Sequence, residues 1–235
     1  MNLKEGVILP FFKPLGWTSF QVVGRSRWWF KKKYGIKKIK VGHAGTLDPL
    51  ATGVLVVCIG KATKRIEELQ THSKEYVATI KLGATTPSFD KETEEDATYP
   101  VEHITKELIE QTLNTFIGEI QQVPPVFSAV KIGGKRAYKM ARRGDDVELA
   151  PKKVNIYEIE LIEFHAPDEL KIRVVCGKGT YIRSLARDLG TAMNTGAYLT
   201  ALCRTRVGDF TIDDCLDASH FSEWLDEQEI KFEEE

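Results

Sequence analysis

Long apolar segments and clustered cysteines are both missing from this 235-residue sequence, and it carries no excess charge of either sign. The longest strongly apolar run, residues 54–59, is far shorter than the roughly 20 residues that a membrane helix needs. The N-terminus does not combine a basic start with an apolar stretch, so we expect no secretory signal. With 42% hydrophobic and 29% charged residues, the chain is expected to fold into a soluble protein with a sizeable core.

The four cysteines are Cys58, Cys176, Cys203 and Cys215, which lie far apart and form no C-x-x-C pair. Structural zinc sites and disulfide frameworks normally show paired cysteines at short, regular spacing. We therefore predict neither a metal site nor a disulfide framework, and the cysteine usage favours a reducing cytoplasm.

Positive and negative charges nearly balance, at 33 Lys and Arg against 34 Asp and Glu, but they are segregated along the chain. Residues 1–65 carry a net charge of +11 and residues 131–208 carry +6, whereas residues 66–130 carry −8 and residues 209–235 carry −10. Such a chain can present a basic face to a polyanion while its flanks hold the compensating acid. Solvated surface charge would produce the same pattern.

The order of apolar patterns and breakers predicts an α+β fold with a mixed, mostly antiparallel central sheet flanked by helices. Strands are predicted at 6–9, 38–41, 53–59, 76–82, 126–132, 154–164 and 170–176. Helices are predicted at 61–70, 105–116, 136–142, 180–193 and 219–230, and a further helix should run from Thr18 or Ser19 to Tyr34, ended by Gly35. The acidic C-terminal stretch is expected to be a short helix with a frayed tail.

A basic, aromatic segment at 25–40 has the composition of a nucleic-acid-binding surface. It contains eight Lys and Arg residues, including Lys31, Lys32 and Lys33, together with four aromatic residues and no acid. Cations neutralise phosphates and aromatic rings stack on bases, so this composition suits RNA or single strands. An amphipathic helix with a buried tryptophan and solvated lysines is the alternative interpretation.

A glycine-rich segment at 42–53, GHAGTLDPLATG, lies between two predicted strands and holds one carboxylate, Asp48. Its glycines permit sharp backbone paths, and Pro49 cannot donate a hydrogen bond to a strand ladder. Such a loop can hold Asp48 at the mouth of a pocket as a nucleophile or base. In the alternative, Asp48 caps an ordinary turn and His43 is a loop histidine without a function.

A second loop at 177–183, GKGTYIR, indicates a helix start with Thr180 as the N-cap and Arg183 in the first turn. The helix dipole disfavours a cation in that position, so we expect an anion nearby. A phosphate or a carboxylate such as Asp48 would satisfy this expectation, and so would a surface acid beside a solvated arginine. The string lacks the spacing of a P-loop.

Together these segments resemble the TruB branch of the pseudouridine synthases, the tRNA pseudouridine-55 synthases. The matching stretches follow that family's motif order and are KPLGWTS at 13–19, GHAGTLDPLATG at 42–53, KEYV at 74–77, LGATT at 82–86 with Asp90, GTYIR at 179–183 and LCRTRVG at 202–208. The resemblance implies a pseudouridine synthase catalytic domain over residues 1–210, in which 125–152 form a loop region that closes on the RNA. It leaves 211–235 as a short acidic helix and tail, with no PUA-type domain.

The resemblance also implies the catalytic residues. Asp48 would be the catalytic carboxylate, Tyr76 would stack on a flipped uridine, and Arg183 would pair with Asp48. The reaction would be an isomerisation that needs no metal or other cofactor. It would convert uridine 55 in the T-loop of tRNA into pseudouridine by base flipping.

The implied RNA contacts come from a second set of residues. His43 would fill the gap left in the RNA loop, Leu202 would pack on the base and Lys131 would shape the pocket. Lys13, at the start of the first motif, and Lys31, Lys32 and Lys33 are placed with this substrate-binding set. The expected partner is the T stem-loop of tRNA, and we expect a cytoplasmic monomer with no membrane attachment and no obligate protein partner.

Two other functions remain open on the sequence. A non-catalytic tRNA-binding or folding chaperone could use the same basic face. A hydrolase that uses Asp48 to activate water is the weaker alternative, because no partner acid or set of metal ligands accompanies Asp48 in the sequence.

Overall fold

The computed structural model describes residues 5–36, 38–128, 130–137, 140, 143, 147 and 149–228. These residues divide between two compact units, the first drawn from 1–76 and 203–235 and the second from 77–202. In the described ranges the strands, in chain order, are β1 Val7–Lys13, β2 Val41–His43, β3 Ala51–Ile59, β4 Lys74–Leu82, β5 Ala84–Thr85, β6 Ala97–Thr98, β7 Gly118–Gln122, β8 Lys131–Ile132, β9 Lys135–Arg136, β10 Lys152–His165, β11 Glu169–Cys176, β12 Ala197–Val207, β13 Phe210–Thr211 and β14 Leu216–Asp217. The α-helices are α1 Ser19–Tyr34, α2 Ile66–Thr71, α3 Lys106–Thr115, α4 Ile182–Ala192 and α5 Phe221–Asp226.

In the first unit the strand order is β14, β1, β3 and β12. β1 runs antiparallel to β3 along its whole length, from Val7 opposite Ile59 to Lys13 opposite Gly53, and β2 pairs antiparallel with the end of β3. β14 lies parallel to β1. The unit therefore presents a mixed sheet, as the sequence predicts.

Helix α1 covers this sheet because its buried residues form one stripe. Val22, Val23 and Phe30 are at most 2% exposed and pack in a core that also contains Phe11. The helix begins where predicted, since the Thr18 hydroxyl caps it and exchanges hydrogen bonds with Gln21 in a capping box. It ends at Gly35, whose φ of 63° is the left-handed conformation expected there.

The C-terminal helix α5 is part of the same core. The ring of Phe221 lies 4.9 Å from the ring of Phe11 and 5.8 Å from that of Phe30, measured between centroids. Phe221 and Leu225 are at most 1% exposed, and burying each contributes about 1.5–3 kcal/mol. The predicted short helix is therefore present and packed into the core, and residues 229–235, where a frayed tail was predicted, lie outside the described residues.

In the second unit the strand order is β12, β4, β11, β10 and β7. β10 pairs antiparallel with β11 on one side and with β7 on the other. Helix α4 buries the apolar face that its sequence predicts, formed by Ile182, Leu185, Ala186 and Leu189. Strands β4 and β12 contribute residues to both units. The α+β fold class is confirmed.

Several predicted elements differ from the observed ones. The strand expected at 126–132 is reduced to β8, and residues 61–70 begin as a 3₁₀-helix, Gly60–Arg65, before α2. The helix expected at 136–142 does not include residue 136, which belongs to β9. Residues 137 and 140 are helical as predicted, and 138–139 and 141–142 lie outside the described residues. Strands β7 and β12 were not predicted, because Gln, Thr and Arg interrupt their apolar pattern.

Candidate active site

The predicted glycine-rich segment forms the connection between β2 and β3. His43 at the end of β2 faces Val57 of β3, and the Ala44 amide extends the pairing by donating to the Val56 carbonyl at 2.9 Å. Asp48 follows at the tip of the connection and is half-buried. Its carbonyl accepts from the Ala51 amide at 3.0 Å, which closes a turn over the intervening proline. The two strands thus fix where this turn stands.

The segment at 13–19 clamps this loop on both sides of Asp48. On one side the Ser19 hydroxyl accepts from the Leu47 amide at 2.8 Å and donates to the Leu47 carbonyl at 3.0 Å. On the other side the Gly16 amide donates to the Pro49 carbonyl at 2.9 Å. Ser19 is 3% exposed, so these bonds are shielded from water. Two chain segments about 30 residues apart therefore act as one structure around Asp48.

Lys13 lies inside this clamp with no exposed surface. Its ammonium donates to the carbonyls of Trp17 at 2.6 Å and Pro14 at 3.0 Å, with Pro49 at 3.5 Å. Burial lowers the pKa of Lys13 to about 8, while the Asp48 carboxylate opposes that shift. The prediction that Lys13 binds substrate stays a prediction, and the observed contacts are with the loop that carries Asp48.

Arg204, on β12, holds the same loop from another direction and was not among the predicted site residues. It is 1% exposed, and its guanidinium donates to the carbonyls of Val54 at 2.8 Å, Gly45 at 3.1 Å and Thr46 at 3.5 Å. Its place in the closing motif at 202–208 is the one signal in the sequence that could have found it.

Gly53 permits this approach of β12. Its φ is +104°, and a Cβ built on it would lie 2.1 Å from the carbonyl oxygen of Arg204. Only glycine fits there without moving one of the two strands.

His43 is neutral near pH 7 in this setting. Burial lowers its pKa, and the neighbouring Arg204 cation lowers it further. Its Nδ1 atom is buried and finds no hydrogen-bond partner among the described residues. An uncharged imidazole is suited to the predicted role beside bases, because it stacks without adding charge.

Tyr76 lies on β4, where buried and partly exposed residues alternate. It is 8% exposed and belongs to the buried set. Glu75 is the preceding residue on β4. Its carboxylate accepts a hydrogen bond of 2.8 Å from the hydroxyl of Thr205, and both residues belong to the first unit. The assignment of Tyr76 to catalysis stays a prediction.

Arg183 lies in the first turn of α4, as predicted, with its side chain 5% exposed. Its guanidinium donates to the carbonyls of Ser88 at 3.2 Å and Phe127 at 3.0 Å, and it lies 3.6 Å from the Asp90 carboxylate. Asp90 is in turn held by the Ser88 hydroxyl at 2.6 Å. Within the second unit the anion that the sequence required near Arg183 is therefore Asp90, and the pairing of Arg183 with Asp48 stays a prediction.

The predicted Thr180 N-cap is wrong. The N-cap position is Tyr181, and the Thr180 hydroxyl instead donates to the Gly177 carbonyl at 3.1 Å. The Tyr181 amide donates to the Gln122 side chain at 2.8 Å, so a residue from β7 satisfies the helix start. Spacing within the segment does not reveal a cap that comes from a distant strand.

The remaining predicted contacts fall into three groups. Leu202 lies on β12 and is half-buried. Lys131 starts the β8–β9 hairpin, and its side chain lies outside the described residues.

The lysines of α1 differ in their surroundings. Lys31 and Lys32 are exposed. The Lys33 ammonium instead donates to the Asp226 carboxylate at 2.6 Å and to a carbonyl of α5. In the predicted RNA-closing region, 125–152, residues 129, 138–139, 141–142, 144–146 and 148 lie outside the described residues.

Among the described residues, no group of three His, Cys, Asp or Glu side chains converges in a way that could hold a metal ion. In the same residues, every helix is too short or too polar to span a bilayer.

Comparison with known proteins shows the class of this chain, the pseudouridine synthases. Residues 31–182 match the model of the TruB family pseudouridylate synthase N-terminal domain, and the chain belongs to that family.

Similar curated proteins cover nearly the whole chain. Proteins named tRNA pseudouridine synthase B are 65% identical in Bacteroides fragilis, over 98% of this chain and 99% of that protein, and 66% identical in Phocaeicola vulgatus, over 98% of each. The protein of that name in Flavobacterium johnsoniae is 52% identical over 94% of this chain and 96% of its own length.

Solved structures resemble the fold over a similar range. One is a Cbf5-Nop10-Gar1 complex, matched with a TM-score of 0.70 and 32% identity over 97% of this chain and 58% of that one. Another is an H/ACA RNP bound to a substrate RNA containing 2′-deoxyuridine, with a TM-score of 0.65 and 29% identity over 95% of this chain and 56% of that one. This chain thus spans little more than half the length of those proteins.

Proposed function

We propose that this protein isomerises uridine to pseudouridine in tRNA, at position 55 of the T-loop. The observation that carries the proposal is the clamped loop, in which Ser19, Lys13 and Arg204 all hold the turn that bears Asp48. A carboxylate whose backbone is fixed from three sides is preorganised for chemistry at one position of a substrate. The names of the curated relatives supply the substrate class.

The proposed reaction breaks the glycosidic bond between N1 and C1′ of the uridine and joins C5 to C1′ after the base has rotated. The proton on C5 leaves to solvent and N1 gains one, so the product has the mass of the substrate. Asp48 either adds covalently to the uridine or its ribose, or stabilises a glycal-type intermediate. No metal, nucleotide or redox group enters this balance.

A uridine inside a folded loop must leave its stack before Asp48 reaches it. Flipping it out costs a few kcal/mol of lost stacking and pairing. The neutral His43 imidazole, beside the same loop, is suited to fill the vacated position. Tyr76 and Arg183 are proposed to act on the flipped base, in the roles that their motifs suggest.

Exposed lysines of α1 are proposed to bind the RNA backbone. Replacing Lys31 and Lys32 with Gln should weaken tRNA binding and flatten its salt dependence. Each lost phosphate contact should reduce the slope of log affinity against log salt concentration by about 0.7–0.9. Lys33→Gln is the matched control on the same helix, since Asp226 already holds its ammonium. An unchanged slope in the Lys31 and Lys32 variants would place those residues away from the RNA.

Tritium release from tRNA labelled at C5 of uridine tests the catalytic role directly. Asp48→Asn should abolish release while tRNA binding persists, and the mass of the RNA should not change with the wild-type protein. Full release from Asp48→Asn would refute the role of Asp48. Binding without any release by the wild-type protein would favour the chaperone function instead, and a change of RNA mass would indicate hydrolysis.

Pseudouridine mapping tests the position. In tRNA from cells that lack this protein, only position 55 should lose its pseudouridine. We further propose a monomer in a reducing cytoplasm, where the four cysteines, which form no disulfide, stay as thiols.

A further inference from the structure

Two large aromatic side chains stand exposed on the outer face of α1. Phe20 is 69% exposed and Trp28 is 51% exposed. They are eight residues apart, with Gly24 midway, so all three lie along one side of the helix. At 1.5 Å per residue the two rings are carried about 12 Å apart. We call the face formed by Phe20, Gly24, Trp28 and Lys32 the α1 shelf.

Gly24 leaves the middle of the shelf open. A Cβ built at this position would meet no atom within 4 Å, so packing does not demand a glycine there. Glycine inside a helix costs about 1 kcal/mol relative to alanine. The residue therefore weakens the helix and leaves flat space between two rings.

The charge of α1 indicates which kind of ligand the α1 shelf can bind. The helix carries five cations and no acid, and the Lys32 ammonium lies 4.8 Å from the centroid of the Trp28 ring. A surface that combines exposed rings with cations alone is complementary to a polyanion with flat faces. Unpaired nucleotides have both properties, because each base offers a face for stacking and each phosphate a negative charge.

The shelf begins at the clamp of the Asp48 loop. Ser19, the first residue of α1, makes two hydrogen bonds to Leu47, and Phe20 is the next residue along the helix. The shelf therefore starts one residue after the clamp of the loop that carries Asp48. The two features are continuous within the first unit.

We propose that the α1 shelf binds unpaired bases of the RNA substrate by stacking on Phe20 and Trp28, outside the position of the target uridine. The proposal rests on the proposed function, because it takes the same RNA. The shelf adds an affinity site that the catalytic motifs do not contain.

Filter binding with the full chain and an unmodified tRNA transcript tests the shelf, in an Asp48→Asn background that stops turnover. Phe20→Ala and Trp28→Ala should each weaken binding about five-fold or more, the lower end of the effect of losing one stacked base. Ile162→Ala is the matched control, because Ile162 is 50% exposed on β10 and should leave the affinity unchanged.

Gly24→Gln separates binding from folding. Glutamine favours a helix over glycine, so the thermal midpoint should rise. Its side chain also occupies the space between the rings, so the affinity for tRNA should fall. A role confined to the structure of α1 would not move stability and affinity in opposite directions.

The outcomes distinguish the shelf from the proposed function. If the wild-type protein forms pseudouridine while Phe20→Ala, Trp28→Ala and Gly24→Gln bind tRNA like their parent, the shelf proposal is overturned and the function stands. If these variants lose affinity but no pseudouridine is ever formed, the function fails and the shelf stands. Sedimentation of a dimer that Trp28→Ala dissociates would overturn the shelf proposal in favour of a second copy of this chain.

Discussion

Replacing Arg204 with Met should loosen the loop that carries Asp48. The substitution removes two charged hydrogen bonds, to Val54 at 2.8 Å and to Gly45 at 3.1 Å, and a longer contact at 3.5 Å. Bonds to charged groups contribute about 1.5–3 kcal/mol each, so the two good ones contribute about 3–6 kcal/mol. Removing a buried cation returns part of its desolvation cost. We expect a net loss of about 3 kcal/mol in the free energy of unfolding.

Urea unfolding measures this loss, with Arg206→Met as the control on the same strand. The Arg206 side chain is 32% exposed and lies 3.7 Å from the Glu75 carboxylate, so its ion pair is screened by water. Its replacement should cost under about 1 kcal/mol. Losses of equal size in the two variants would refute the reasoning about Arg204.

A second readout concerns electrostatics rather than stability. The Arg204 cation lowers the pKa of His43, so Arg204→Met should raise that pKa, although burial, the larger cause, should keep it below the ordinary value. Proton NMR titration of the imidazole measures the shift, and the loss of one signal in His43→Gln assigns it. An unchanged His43 pKa would mean that the guanidinium does not act on this loop.

Three other changes test the packing around the site. Lys13→Met should lose stability relative to the wild type as pH rises. The pKa of Lys13 is about 8 in the folded protein against an ordinary 10.5, so between these pH values the unfolded wild-type chain keeps a proton that the folded protein has released, and rising pH favours the folded wild type. In urea unfolding, the difference between the two proteins in the free energy of unfolding should change by about 2 kcal/mol between pH 8 and 9.5. Gly53→Ala should cost at least about 3 kcal/mol in the same assay, because a Cβ would meet the Arg204 carbonyl at 2.1 Å and φ is +104°. Asp90→Ala should cost about 3 kcal/mol, because the buried Arg183 cation loses the carboxylate 3.6 Å away.

Matched variants show what would contradict these expectations. Gly16 also has a positive φ, +81°, but a Cβ there would meet nothing within 4 Å. Gly16→Ala should therefore lose less free energy of unfolding than Gly53→Ala. Parallel stability curves for Lys13→Met and the wild type would mean that Lys13 keeps an ordinary pKa. Asp90→Asn should lose less free energy of unfolding than Asp90→Ala, since the amide oxygen can still accept a hydrogen bond from Arg183. A larger loss in Asp90→Asn would contradict the ion pair.

Helix α1 shows how far local patterns predict the fold. Its cap and its end depend on residues within a few positions of one another. The sequence predicted Thr18 or Ser19 as the cap and Gly35 as the end, and the structure has Thr18 and Gly35 in these places. Strand β12 shows the opposite case. Its residues hydrogen-bond to strands more than a hundred positions away, and no local period indicates which of them face inward.

The candidate site divides in the same way. Asp48, His43 and Arg183 were selected from short motifs, and their catalytic and binding roles stay predictions. Arg204 and the Gln122 contact that starts α4 were missed, because each works on a loop or helix far away in the chain. Lys33 was grouped with Lys31 and Lys32, but only the folded chain brings Asp226 to its ammonium.

By itself the sequence determined the family, the α+β class and the loop that carries Asp48, because turn chemistry, helix caps and motif spacing are encoded in neighbouring residues. Only the tertiary structure decided what holds that loop and which charges lie near it. The lowered pKa values of Lys13 and His43, and the anion beside Arg183, arise from burial and from residues distant in the chain. Desolvation and long-range pairing exist only once the chain has folded, so no local pattern can contain them.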